Sequence, residues 1–245
     1  MDTAKRLAEI WSEDYIGTLP APVKERGYWF VDNIQKEILI TGINPSYREG
    51  KPIGPLPCPI EDIWQNKKHD NYWSPIIKML NDGEIDLRNK ADYLDIFYFR
   101  EQDQRLLNDK ILSSPNGVRF VADQLNLTMH IIEEVVKPKL IIIKNKESWA
   151  YFGKLFKEKG WVWMGYQFEH ILNLECGELC RIKGLLESQE RIAPEIKHTN
   201  LIGTFALFTK HINQYTALQE RPKAQTIELI LNWYKAEELV RGLAI

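Results

Sequence analysis

Only three cysteines occur in the 245 residues, Cys58, Cys176 and Cys180, and no two of them form a CxxC pair. An odd, widely spaced set argues against a disulfide framework and predicts a reducing, cytoplasmic location. Three thiols also fall short of the four that a Cys₄ zinc site or an ordinary iron–sulfur cluster requires. The five histidines are scattered, without HExxH or HxH spacing, so neither a metal nor any other cofactor is expected. No apolar run approaches the roughly 20 residues of a membrane span. The opening MDTAKRLAEIW has no apolar core of the signal-peptide kind, and no membrane association is expected. GxGxxG, GxxxxGK[ST] and GxSxG are all missing, so Rossmann dinucleotide binding, P-loop hydrolysis and the hydrolase elbow have no support. Charge of one sign is missing too: 32 Lys and Arg face 34 Asp and Glu, a formal net charge of −2. That excludes a polycation but leaves room for a local basic cleft.

What is present reads as a globular chain, with 44% hydrophobic and 27% charged residues. Residues 3–15 have the spacing of an amphipathic helix, with Leu7, Ile10 and Trp11 on one side. EILITGI (37–43) is a β-branched run ending at Asn44-Pro45, and reads as a buried strand that stops there. Residues 48–60 are rich in Pro and Gly and read as a long loop, of the kind that covers a site. YWSPIIKMLN (72–81) predicts a helix with Ser74 as cap and Pro75 at its first position. ADYLDIFYF (91–99) predicts a second strand, 117–136 a long helix stopping before Pro138, and LIIIK (140–144) a third strand. A helix over 146–160 should stop at Gly160. Residues 161–186 suggest a hairpin excursion, TNLIGTFA (199–206) a fourth strand, and 222–243 a last helix. Strands alternating with helices predict an α/β fold with a parallel sheet covered on both faces, as a single domain over 1–245. Ligands of such sheets sit beyond the carboxyl ends of the strands, which brings together 44–58, 95–104 and 205–214.

The chemistry-bearing stretch is Gly42-Ile43-Asn44-Pro45-Ser46-Tyr47. Glycine permits close approach, Asn44 offers a carbonyl acceptor and an amide donor, and Pro45 fixes the turn. An Asx-type turn ending a strand is the alternative. The strand ending in GINPS, followed by a Pro/Gly-rich loop, resembles the first active-site motif of the uracil-DNA glycosylase superfamily, in its mismatch-specific branch with Asn at this position. ADYLDIFYFRE (91–101), KPKLIIIKNKESWAYF (137–152) and TNLIGTFALFTKHIN (199–213) resemble the family's later strands in order and spacing. The resemblance runs loosely over 37–240, and only GINPS is sharp. It implies a three-layer sandwich around a central four-stranded parallel sheet, and hydrolysis of an N-glycosidic bond in DNA after the base is flipped out. It also departs from the family. No His-Pro-Ser occurs, Asp95 stands where the family has a base-reading Asn, and Lys144-Asn145 stands where Gly is usual.

On this reading Asn44 orients the attacking water as a neutral positioning group. Tyr47 or Phe97 stacks on the base, and Lys210 or His211 stabilises negative charge on it. Ile43 and the backbone of 42–47 complete the base site. Arg100, Arg105 and Lys110 would touch phosphate, or else form a solvated face. An ionised Asp95 only accepts hydrogen bonds, which suits an amino-bearing base edge better than uracil. The alternative is a structural ion pair of Asp95 with Arg100 or Lys210. Lys67-Lys68-His69 reads as a solvated basic run. DNA is the expected partner of a monomeric chain. A family member that binds a base or nucleic acid without cleavage, and an unrelated small-molecule site, remain the alternatives.

Overall fold

A computed structural model describes residues 2–47, 49, 57–65, 70–155 and 160–243. Most of the predicted 48–60 loop and the Lys67-Lys68-His69 run lie outside them. Helix α1 (Thr3–Ser12) starts where the Asp2 side chain accepts from the Lys5 N–H at 3.1 Å. A short α2 (Ala21–Arg26) leads to β1 (Phe30–Asp32), then β2 (Ile38–Gly42), β3 (Pro57–Pro59), α3 (Ile60–Trp64), α4 (Trp73–Leu80) and β4 (Ala91–Asp95). After a π-helical turn at Leu106–Ile111 come α5 (Gly117–His130), β5 (Leu140–Ile143), α6 (Lys146–Phe152), β6 (Tyr166–Leu174), β7 (Gly177–Leu185), β8 (Phe205–Thr209) and α7 (Ala224–Leu243).

The main sheet has six strands in the order β4-β2-β5-β8-β7-β6. The pairs β2–β4, β2–β5 and β5–β8 run parallel, whereas β7–β8 and β6–β7 run antiparallel. The sheet is therefore mixed and larger than the four strands expected. The 161–186 segment is a hairpin, as its pattern suggests, but it adds to the sheet edge through β8 instead of standing apart. A separate two-stranded pair joins β1 and β3.

Period-two alternation sorts the buried strand residues onto opposite faces. Ile38, Ile40, Leu140, Ile142, Phe205 and Leu207 pack with α3, α4 and α7 residues such as Ile63, Met79 and Ile227. Leu39, Ile141, Ile143, Ala206 and Phe208 pack on the other side with Leu7, Ile10, Phe120 and Leu125 of α1 and α5. Helices thus cover both faces. Among the described residues no helix is long and apolar enough to cross a membrane.

Several boundaries differ from expectation for local reasons. β4 ends at Asp95, not at 99, because after the Ile96 N–H makes the last ladder bond to the Gly42 carbonyl, the Phe97 N–H bonds to the Ile43 carbonyl and breaks the alternation of the ladder. α6 ends at Phe152 with Gly153 as its cap, whose φ of +116° is the left-handed conformation that ends a helix, about two turns before the predicted stop at Gly160. The fourth strand begins at Phe205, because Gly203 at φ +92° and Thr204, bonded to the Pro138 carbonyl, form a turn first. α4 is capped by Asp70, which accepts from the N–H groups of Tyr72 and Trp73 at 2.8 and 3.0 Å. Ser74 is not the cap but the second residue of α4, and its hydroxyl accepts from the Asp70 N–H.

Candidate functional site

The carboxyl ends of β2, β4, β5 and β8 lead directly into Ile43-Asn44, Asp95-Ile96, Lys144 and Lys210-His211. Beyond them lie two cavities. One, of about 260 Å³, is walled by Trp29, Tyr72 and Trp73, with Asn44, Asp95 and Arg100 among its polar lining. The other, of about 400 Å³, carries Lys144, Asn145, Gln104 and His211. Asn44, Ser46 and Tyr72 line both, so the two adjoin and together make up the cleft at the strand ends.

Asn44 is 7% exposed and its orientation is dictated by its neighbours. Its Nδ2 donates to the backbone carbonyl of Glu101 at 2.7 Å and to that of Pro45 at 3.2 Å. Two carbonyl acceptors on one side require the NH₂ end there, which turns Oδ1 to the other side. Oδ1 accepts from Gln104 Nε2 at 2.6 Å, and keeps a second lone pair for a water or ligand.

Asp95 does not form the structural ion pair with Lys210, which is exposed and bound to Glu220. It ends a buried chain of hydrogen bonds. Lys144 Nζ donates to Tyr72 Oη at 2.9 Å, and Tyr93 Oη donates to Asp95 Oδ1 at 2.7 Å. The two tyrosine hydroxyls bond to each other. Because the Tyr93 proton is engaged by Asp95, Tyr72 must be the donor of the middle link. Burial pushes the Asp95 carboxyl up to about 6, against the opposing effects of the Tyr93 hydrogen bond and of Lys144. Burial likewise pulls the Lys144 ammonium down to about 8, partly offset by Asp95. Burial holds both phenols well above their usual range.

Strand parity explains the assembly. Gly42 shares the face of Ile38 and Ile40, Asp95 that of Tyr93, and Lys144 that of Ile142, and all three faces point to the same side of the sheet. Gly42 is paired with Asp95 across the strands. A Cβ on it would lie 1.9 Å from Tyr93 Oη, 2.0 Å from Asp95 Oδ1 and 2.9 Å from Tyr72 Oη. The glycine makes the room in which the chain of hydrogen bonds sits.

The remaining expected site residues divide. Ile43, Pro45, Ser46, Arg100 and His211 line the cleft. Partial burial and the neighbouring Lys144 lower the His211 imidazole below the ordinary histidine range. Phe97 does not reach the cleft. It is fully buried on the α5 side against Phe99 and Tyr151, so it has no face to offer a base. The Tyr47 ring lines neither cavity, and has the guanidinium groups of Arg26 and Arg100 at 4.5 and 5.5 Å from its centroid. Lys210 points to Glu220, and the exposed Arg105 is held by Asp103 at 2.6 Å. Tyr72, Tyr93, Trp29, Trp73 and Gln104 were not signalled by any motif. Among the described residues no group of three or more His, Cys, Asp or Glu is placed to hold a metal ion, and the three cysteines are free thiols.

The buried carboxylates give a testable pH dependence. Asp92 is pushed to about 6 by burial, like Asp95. A carboxyl raised above its unfolded value of 3.8 contributes stability that is fully present below that value and lost as pH rises through about 6. For a shift of this size the loss is on the order of 3 kcal/mol. Urea unfolding at pH 4 and pH 7 should show Asp95→Asn gaining stability relative to the parent as pH rises. A difference independent of pH would show that the carboxyl is not so perturbed.

No protein family model, no curated protein and no solved structure matches the chain.

Proposed function

We propose that the chain is a glycosylase of the uracil-DNA glycosylase type, which hydrolyses the N-glycosidic bond of a damaged or modified base in DNA. We also propose that its four parallel strands are the centre of that family's three-layer sandwich. The observation that carries the reading is the convergence of Asn44 and Asp95 in one aromatic-walled cleft at the carboxyl ends of parallel strands. Trp29, Tyr72 and Trp73 offer ring surface for an extruded base. Asp95 reads the base edge, Asn44 holds the attacking water through its free lone pair, and Arg100 faces the phosphate side. Leaving-base charge is met by Lys144 and His211 on the far side of Asn44.

An ionised Asp95 selects edges that donate, such as the amino group of a cytosine-type base. Asparagine would restore the donor–acceptor pair that complements uracil. Base release from duplex and single-stranded DNA carrying a panel of deaminated, alkylated and amino-bearing bases tests the reading. Asp95→Asn is expected to shift preference toward uracil-like bases by about 10- to 100-fold. No release from any substrate by the parent would exclude glycosylase activity.

A second reading is supported by the three hydrogen bonds that already engage the Asn44 carboxamide, together with the absence of His-Pro-Ser. In it the cleft binds a nucleobase without cutting. Saturable binding of the same DNA without release would favour this form.

A further inference from the structure

A third cavity, of about 510 Å³, opens beside the cleft. It shares Ile43 and Glu147 with the Lys144 cavity and therefore adjoins it, and the Lys144 cavity in turn adjoins that of Asn44 and Asp95. Its distinguishing wall is aromatic. Trp161 is 44% exposed, an unusual position for so large an apolar side chain. Trp163, its ring centroid 5.3 Å away and tilted by 40°, backs it, and Tyr151 in turn lies 5.3 Å from Trp163. The outer ring is thus held by the packed rings behind it. Asn108 and Ser113 add donors and acceptors at the rim.

Resting on the nucleobase reading above, we propose that this cavity takes the base next to the target on a single strand, stacked on Trp161. Stacking on a braced aromatic face tolerates any base, because every base has a π face. Glu147 in the lining disfavours phosphate, so the ring of the neighbouring nucleotide enters and its backbone stays outside. The ligand is therefore at least a dinucleotide, not a free base.

The test compares the parent, Trp161→Ala and Trp161→Phe for binding of a mononucleoside, of a dinucleotide with the same target base, and of a single-stranded oligonucleotide, by calorimetry. The parent is expected to bind the dinucleotide about tenfold more tightly than the mononucleoside, Trp161→Ala to lose that gain, and Trp161→Phe to keep most of it. Equal affinity of the parent for mononucleoside and dinucleotide, or a gain that survives Trp161→Ala, overturns the second subsite and leaves the first intact. Binding of neither ligand by the parent removes the nucleobase reading, and the subsite with it.

Discussion

Replacing Gly42 with alanine is expected to destabilise the protein by about 3–5 kcal/mol, the range for overpacking combined with disruption of a buried, paired charge. For a chain of this size that is a fall in melting temperature of roughly 10 °C. The added methyl would occupy the space of two phenolic oxygens and one carboxylate oxygen, all within 2.9 Å. The two nearest groups are not free to swing into solvent, since Tyr93 is fully buried and Asp95 nearly so. The chain from Lys144 to Asp95 would therefore open, leaving a buried carboxylate and a buried ammonium that each lose hydrogen-bonding partners. Thermal unfolding checks the size of the effect, and a double-mutant cycle checks its cause. Tyr93→Phe alone should destabilise, because Asp95 loses its donor. In the Gly42→Ala background it should do so less, because the nearest clashing oxygen is gone. Wild-type stability of Gly42→Ala would show that the glycine is not needed for room.

How much of this could be read from the sequence depends on the range of the interaction. The parallel strands announce themselves as short β-branched runs, and Asn44 and Asp95 follow from asking where those runs end. The sheet was underestimated because nothing local in 166–185 says whether a hairpin stands alone or zips onto β8. Gly153 and Gly160 both have positive φ, +116° and +75°, and the helix stops at the first of them, where the Gly153 N–H closes back on the Trp149 and Ala150 carbonyls. Phe97 was placed near the base site by its position after β4. The chain's turn at Ile96 and Phe97 rotates that ring to the opposite core. The relay was half legible. Parity along three strands places Gly42, Asp95 and Lys144 on one face, but Tyr72 arrives from the start of α4 through packing that no motif encodes. His211 was marked by its place after the last parallel strand, whereas its neighbour Lys210 found an exposed partner instead.

If the chain is the glycosylase proposed above, Asn44→Ala is expected to reduce base release by about 10²- to 10³-fold, the range for losing one preorganised polar group at a reacting centre. The same substitution leaves the Glu101 carbonyl without its Asn44 donor, whereas the Pro45 carbonyl keeps the Glu101 N–H at 2.9 Å, and the loss costs about 1–3 kcal/mol. A folded but less stable protein is therefore expected, and release must be measured well below its melting temperature. Asn44→Asp separates positioning from simple loss of shape. An aspartate could serve as a general base in place of a positioned amide, but here its carboxylate would face two backbone carbonyl oxygens, and that of Glu101 would lose its donor. Its folded pKa should then rise, so Asn44→Asp should be closer to parental stability at pH 5 than at pH 8. If its activity also falls as pH rises, the amide is held as a donor to Glu101 and Pro45 so that Oδ1 can act. If the aspartate variant instead equals or exceeds the parent at pH 8, the residue works as a base and the positioning role is wrong. Parental release by Asn44→Ala would take this side chain out of the mechanism altogether.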